Sequence, residues 1–272
     1  MSLNAADHNG ILALRGISKT FITNRRERRT VLHDLSLTTE PDELLCILGP
    51  SGCGKTTLLN IVAGFIPPTA GETRIQGRLI TAPGRDRCVI FQHNTLFPWL
   101  TVAENTAFGL RANGWSRTDA EQRAAALLDR VGLSSHYDDL PHEISGGMQQ
   151  RVALARVLVL EPAVLLMDEP FASLDAQTRE EMQDLVVDIT AELRQTVLFV
   201  THDVAEAARV ADRVLLLTRH PGTVRDEVRI HEPKPRQEFG PGFQRIRQAM
   251  ARPHKSTMSG DGPAAAAMPD AD

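Results

Sequence analysis

At 272 residues the chain can bury a core of its own, as one large domain or two small ones. A net charge of -4 gives no sign of the basic face a nucleic-acid binder needs, and three scattered cysteines, Cys46, Cys53 and Cys88, cannot build a disulfide framework or a metal site. The opening MSLNAADHNG has neither a basic start nor an apolar core, and no apolar run is long enough to span a membrane. We therefore expect a reducing compartment and a soluble chain, unless a partner holds it at a membrane.

Residues 11–39 read as β structure. Ile11, Leu12 and Leu14 open it, and Val31-Leu32-His33-Asp34-Leu35-Ser36-Leu37 nearly alternates, as a half-buried strand does. The charge run Asn24-Arg25-Arg26-Glu27-Arg28-Arg29 between them fits a solvated hairpin tip. Leu44-Leu45-Cys46-Ile47-Leu48 is an unbroken apolar run, expected of a strand buried on both faces of a parallel sheet. Gly49-Pro50-Ser51-Gly52-Cys53-Gly54-Lys55-Thr56 follows and fits G-x-x-x-x-G-K-[ST] at every fixed position. Leu58, Leu59, Ile61 and Val62 then mark a helix that Gly64 stops.

Beyond it, residues 66–71 form a turn cluster, 73–80 a hairpin, and Val89-Ile90-Phe91 a short strand ending at Gln92. The chain then turns helical from 94 to about 150. Thr118 and Glu121 form a capping box for a helix carrying Ala124, Leu127, Leu128 and Val131, which Gly132 ends, and a second helix spans roughly 147–160. Strands return with Val164-Leu165-Leu166-Met167, closed by Asp168-Glu169, and Val197-Leu198-Phe199-Val200, closed by Thr201-His202. Between them a helix shows Met182, Leu185, Val186, Ile189 and Leu193 on one face. Asp203 caps a short helix before a last strand, Val214-Leu215-Leu216-Leu217. This alternation predicts an α/β fold with a parallel sheet and helices on both faces. We expect residues 1–10 to be a flexible N-terminus, 11–252 the folded domain with a helical subdomain at about 94–150, and 253–272 a disordered tail poor in apolar surface. There is no internal repeat.

The glycine loop explains the chemistry. Glycines let the backbone wrap so closely that its N–H groups face phosphate oxygens, and the following helix adds its positive dipole end. Lys55 can reach β- and γ-phosphates, and the Thr56 hydroxyl can ligate Mg²⁺. Further candidates close strands, where ligands of such sheets bind. Asp168 offers a carboxylate to Mg²⁺ and Glu169 a general base toward water; without the loop, the pair would read as a helix cap. His202 can hydrogen-bond a γ-phosphate, or simply sit in a capped loop. Gln92 can ligate the metal or orient water. Phe21 is either core or a ring that stacks on adenine. Ile144-Ser145-Gly146-Gly147-Met148-Gln149-Gln150-Arg151 opens a helix with a second backbone-amide anion site, which must serve another phosphate or another subunit.

The order of glycine loop, Gln92, Ser145-Gly146-Gly147, Asp168-Glu169, Ser173-Leu174-Asp175 and His202 resembles the ATP-binding subunits of ABC transporters over residues 12–217. The resemblance implies a P-loop NTPase (ABC ATPase) core with an N-terminal antiparallel β subdomain and a helical subdomain. It implies ATP and Mg²⁺ as cofactors, and a head-to-tail homodimer sandwiching two ATP molecules. Each would lie between residues 49–56 of one subunit, extended to Thr57, and Ser145-Gly146-Gly147 of the other. Phe21 then matches the adenine-stacking position, usually Tyr, and Asp175 the residue linking the two sites across the interface. Met148 departs from the Gln usual at the end of the signature; since Ser145 and backbone amides are expected to touch phosphate, closure should survive it.

Residues 49–60, Ala63-Gly64-Phe65 and Leu96-Phe97-Pro98-Trp99 are similar to the nitrate/sulfonate/taurine importer ATPases, and Ala82-Pro83-Gly84-Arg85-Asp86-Arg87 leading to Gln92 most of all to the taurine members. This implies an ATPase peripheral on the cytoplasmic face of the inner membrane, with two permease subunits and a periplasmic or surface solute-binding protein. Trp99 is either internal packing or, on the resemblance, set against a short helix of the permease. Nitrate, alkanesulfonate and thiamine-precursor importers are the alternatives in the class. A soluble ABC ATPase of DNA repair or the ribosome is the alternative outside it. Against that alternative stand the short segment before the signature, without heptads, and the single cassette.

Overall fold

The two-residue period of a strand decides how this chain is layered. In β3 (Leu44–Leu48) every residue is buried, with Leu45 and Ile47 facing one hydrophobic core and Leu44, Cys46 and Leu48 another. That is why the run reads as continuously apolar. The computed structural model describes residues 10–92, 96–234, 236–237 and 239–252.

Two sheets share the first core. β1 (Leu12–Ile22), β2 (Arg28–Thr38), β4 (Ala70–Ile75) and β5 (Arg78–Leu79) form an antiparallel sheet in the order β2-β1-β4-β5. The second sheet runs β10-β9-β3-β8-β7-β6, with β6 (Arg87–Ile90), β7 (Val164–Asp168), β8 (Thr196–Thr201) and β9 (Arg213–Leu217) parallel to β3, and β10 (Val224–Arg229) antiparallel at the edge. Helix α1 (Lys55–Ala63) lies between the sheets: its Leu58, Leu59, Ile61 and Val62 pack with Leu12, Leu14 and Leu35 on one side and Leu45, Leu166 and Val200 on the other.

The second core lies across the parallel sheet. Cys46, Met167, Phe199 and Val214 meet helices α2 (Val102–Ala112), α3 (Arg117–Arg130), α4 (Gly146–Leu158), α5 (Ala176–Glu192), α6 (Val204–Val210) and α7 (Pro241–Ala251). The predicted strands and helices are present, most of them a residue or two longer or shorter than read. Ala70 and Gly71, expected in a turn, belong to β4. Residues 24–27 form the exposed β1–β2 connection, as expected, while Arg28 and Arg29 already belong to β2. β10 and α7 were not foreseen. The expectations for residues 1–9 and 253–272 lie outside the described residues.

One cap is corrected. Helix α3 begins at Ser116, whose hydroxyl accepts from Asp119 N at 3.1 Å, so Thr118 falls inside the first turn. Glu121 pairs with Arg117 at 2.7 Å instead of reaching back to a cap. Ser116 wins because the chain turns at Gly114 (φ 87°) and leaves Ser116 extended, which is the cap conformation. A true capping box stands at Thr101 and Glu104, heading α2.

Candidate active site

The strand registers gather the predicted residues at one edge of the parallel sheet. Leu48 pairs with Thr201 and Asp168 with Val200, so the loop after β3, the acidic pair after β7 and His202 after β8 emerge side by side. β6 adds Gln92: Ile90 pairs with Met167, which brings Phe91 and Gln92 out level with Asp168 and Glu169, exposed.

Residues 49–56 form a tight cradle. Gly54 holds φ 103°, and a Cβ there would meet Leu32 Cδ2 at 2.6 Å; at Gly49 it would meet the Cys53 sulfur at 2.7 Å. Both positions therefore require glycine. Lys55 is 5% exposed, and its ammonium donates to the carbonyl oxygens of Gly49 (2.9 Å) and Pro50 (3.3 Å) while standing 3.7 Å from Glu169 Oε1. A buried cation so held needs an anion facing it, and Glu169 is the one this chain supplies. Burial raises the Cys53 thiol above its ordinary range, which keeps it protonated beside the loop.

Across from the loop, Thr56 Oγ1 donates to Asp168 Oδ1 at 3.2 Å. Two oxygens at adjacent corners of a Mg²⁺ octahedron sit about 3 Å apart, given ligand distances near 2.1 Å, so this pair fits that ion. Burial pushes the Asp168 carboxyl up, with the Thr56 hydrogen bond and Lys55 opposing and the Glu169 charge reinforcing the shift. A divalent cation would reverse that shift.

Glu169 has a left-handed backbone, φ 46°, with its N–H donating to Val200 O at 2.9 Å. Such a conformation costs on the order of 1–3 kcal/mol and persists only where surroundings hold it. Here it turns the carboxylate back toward Lys55 and His202, whose Nδ1 lies 2.9 Å from Glu169 Oε2. The arrangement offers a fixed carboxylate able to accept a proton from water, and an imidazole with its other nitrogen free to face a phosphate oxygen.

The remaining predicted residues lie elsewhere. Ser145 caps α4, accepting from Met148 N at 3.3 Å, and is exposed with Gly146. Among the described residues no hydrogen bond joins Ser145, Gly146 or Gly147 to residues 49–56. A Cβ on Gly147 would meet Thr178 Cγ2 at 2.6 Å, and Thr178 in turn is tied to Asp175, the cap of α5, through N (3.0 Å) and Oγ1 (2.7 Å). The signature glycines and Asp175 are thus one exposed corner. Phe21 is 39% exposed, with Lys19 Nζ 5.1 Å from its ring centre, and Trp99 is 72% exposed beside Phe97. The core alternative therefore fails for both.

Sequence reasoning missed Gln150. Its amide is buried and donates to Pro170 O at 2.7 Å, tying α4 to the segment after Glu169. A signal existed: Gln150 occupies the stripe of Ala153, Leu154 and Val157, where a polar residue needs a reason.

The family model described as ABC transporter matches residues 32–172, from inside β2 through the signature and the acidic pair. This chain is an ABC transporter ATP-binding domain. Among its relatives, the taurine import ATP-binding protein TauB of Roseobacter denitrificans is 43% identical over 246 residues, covering 86% of this chain and 92% of that protein. The nitrate import ATP-binding protein NrtD of Synechocystis is 43% identical over 222 residues, covering 82% and 83%. In structure the ABC ATPase resembles the dimeric MJ0796, a bacterial ABC transporter cassette, with TM-score 0.71 and 31% identity over 82% of this chain and 100% of that one. The same cassette has been solved bound to ADP and Pi, and that structure matches with TM-score 0.69 and 30% identity.

Proposed function

We propose that this ABC ATPase hydrolyses ATP to drive an importer, and that the solute is taurine. The observation that carries the catalytic half is the Lys55–Glu169–His202 arrangement, a buried cation, a strained carboxylate and an imidazole within hydrogen-bond or ion-pair reach. Residues 49–57 take the phosphates, with Lys55 toward the β- and γ-phosphates and Phe21 against the adenine. Thr56, Asp168 and Gln92 hold Mg²⁺, which supplies charge neutralisation at the phosphates when bound. Glu169 accepts the proton of the attacking water and His202 steadies the γ-phosphate.

Ser145 and Gly146 are exposed and Gly147 half-buried in the single chain, which supports their service to the ATP of a second copy, with Asp175 linking the two sites. The homodimer would sit on two permease subunits at the cytoplasmic face of the inner membrane, fed by a solute-binding protein. The exposed Trp99, with the half-buried Phe97 beside it, supplies an apolar face for the permease. No helix among the described residues is long and apolar enough to cross a membrane, which fits a peripheral subunit. Residues 11–252 form the working domain, with 94–150 as its helical part.

For the solute, support comes from the run 82–92 and from the TauB relatives of Roseobacter and Jannaschia. The run lies beside the nucleotide site and touches no solute, so it reports kinship alone. The test is a deletion strain given taurine, an alkanesulfonate or sulfate as sole sulfur source, and nitrate as nitrogen source. Taurine growth should fail and return with the intact gene but not with a Lys55→Ala copy. Loss of nitrate or alkanesulfonate use with taurine growth intact would move the solute.

A further inference from the structure

Phe21 is the part of the proposed nucleotide site that stands on the antiparallel sheet, and its ring has no polar group with which to fix itself. Lys19 supplies what the ring lacks. Two residues apart on β1, the two side chains leave the same face of the strand. The Lys19 ammonium lies over the ring, 5.1 Å from its centre, and donates to Pro67 O at 2.6 Å in the stretch that follows α1. That stretch is itself fastened to β1: Thr69 N donates to Ser18 O at 2.8 Å, and Thr69 Oγ1 accepts from Thr20 N at 3.0 Å. Lys19 is half-buried and Phe21 exposed, so the cation covers part of the ring and leaves surface for a base.

Lys19 also stands where this platform meets the phosphate loop. It pairs with Leu32 across the ladder while Thr20 pairs with Thr30, so β2 carries one extra residue, Val31. Val31 and Leu32 are the side chains that a Cβ on Gly54 would strike, at 3.1 and 2.6 Å. The bulge thus seats the strand pair against the loop. Phe21 follows two residues further along β1 than Lys19, about 7 Å at strand spacing.

We propose that Lys19 is a positioning residue for nucleotide binding: it holds the Phe21 ring by a cation–π contact and makes that ring a better platform for adenine. The inference deepens the role proposed for Phe21 and rests on it. Two physical effects combine. A ring already held loses less side-chain freedom when a base settles on it. The faces of aromatic systems are negative and repel in a direct stack, and a cation over one face of Phe21 draws electron density toward itself. The opposite face becomes less negative, and adenine stacked there gains from both effects. The phosphates of the nucleotide gain from neither, because the ammonium is engaged by the ring and by Pro67 O.

The test measures binding of ADP and of pyrophosphate, each with Mg²⁺, to the full chain by titration calorimetry. ADP carries the base and is not turned over; pyrophosphate can fill the same loop without a base. Phe21→Ala should raise the Kd for ADP about tenfold, within the usual worth of a stacked base. Lys19→Met should raise it about threefold, the worth of a cation–π contact near the surface. Lys19→Gln keeps a donor for Pro67 O but no charge, and should match Lys19→Met. Lys19→Arg should stay near wild type, because a guanidinium also sits well on an aromatic face. Pyrophosphate binding should hold its wild-type value throughout. Added to Phe21→Ala, Lys19→Met should change nothing further, since its partner ring is already gone. The proposal is overturned by wild-type ADP affinity in Lys19→Met or Lys19→Gln, by an equal loss of ADP and pyrophosphate binding, or by a Lys19→Met effect that persists without Phe21. If Lys19→Met fails to fold, Lys19→Gln decides by the same criteria. ADP binding untouched by Phe21→Ala would instead sink the platform reading beneath; binding weakened by Phe21→Ala but not by Lys19→Met sinks the role of Lys19 alone.

Discussion

The sheet-edge site and the signature corner are built on opposite terms. At the sheet edge, Lys55 is buried and doubly bonded to carbonyls, Thr56 is tied to Asp168, and Glu169 to His202, all within one chain. At the corner, Ser145 and Gly146 are exposed and bonded only within their own turn, although the local geometry of cap and glycines is complete. The difference teaches that the sheet edge is tied together across distant strands by folding, while the corner has its local geometry set by folding and, on the proposed reading, is completed by a second copy.

Variants should separate the halves. The largest effect falls on chemistry at the sheet edge: Glu169→Gln should slow hydrolysis by about 10²–10⁴, the usual worth of a positioned base, while ATP still binds and an ATP-bound dimer accumulates. Normal turnover would pass the base role to His202. At the corner, Ser145→Arg should abolish ATP-driven dimerisation, read by light scattering, while binding of nucleotide to the single chain stays close to wild type. Met148→Gln should change ATPase activity by less than about twofold, because Met148 contributes its backbone N–H to the Ser145 cap. A large change there would show that the Met side chain shapes the corner.

Away from both halves, Trp99→Ala should lower uptake and co-purification with the permease several-fold more than it lowers ATPase activity of the isolated subunit. Equal losses would mean that Trp99 serves the fold. The smallest effect tests the corrected cap: Ser116→Ala should cost about 1 kcal/mol of stability in denaturant unfolding, and Thr118→Ala much less.

Much of the sheet edge was legible because its signals are unconditional. A strand buried on both faces must be apolar throughout, as in residues 44–48, and a backbone that wraps a phosphate must carry glycine where a Cβ would strike Leu32 or Cys53. The rest depended on choices that local pattern leaves open. Ser116 and Thr118 each precede an acidic residue by three, and only the turn at Gly114 decides between them. β10 is mostly charged, with just Val228 buried, as an edge strand can be, so it carries no apolar run to find. Gln150 acts through a buried bond to Pro170, a residue brought near only by the fold.

The central claim is that a working site takes its glycine loop from one chain and its signature from another. Mixing two inactive variants tests it most directly. In a head-to-tail dimer of Lys55→Ala with Ser145→Arg, one site carries both defects and the other carries none. The account predicts that each variant alone is inactive and that an equal mixture regains ATPase activity, up to about a quarter of wild type if subunits pair at random and each site works independently. A mixture as inactive as its parents, with mixed dimers shown to form, would contradict the shared site.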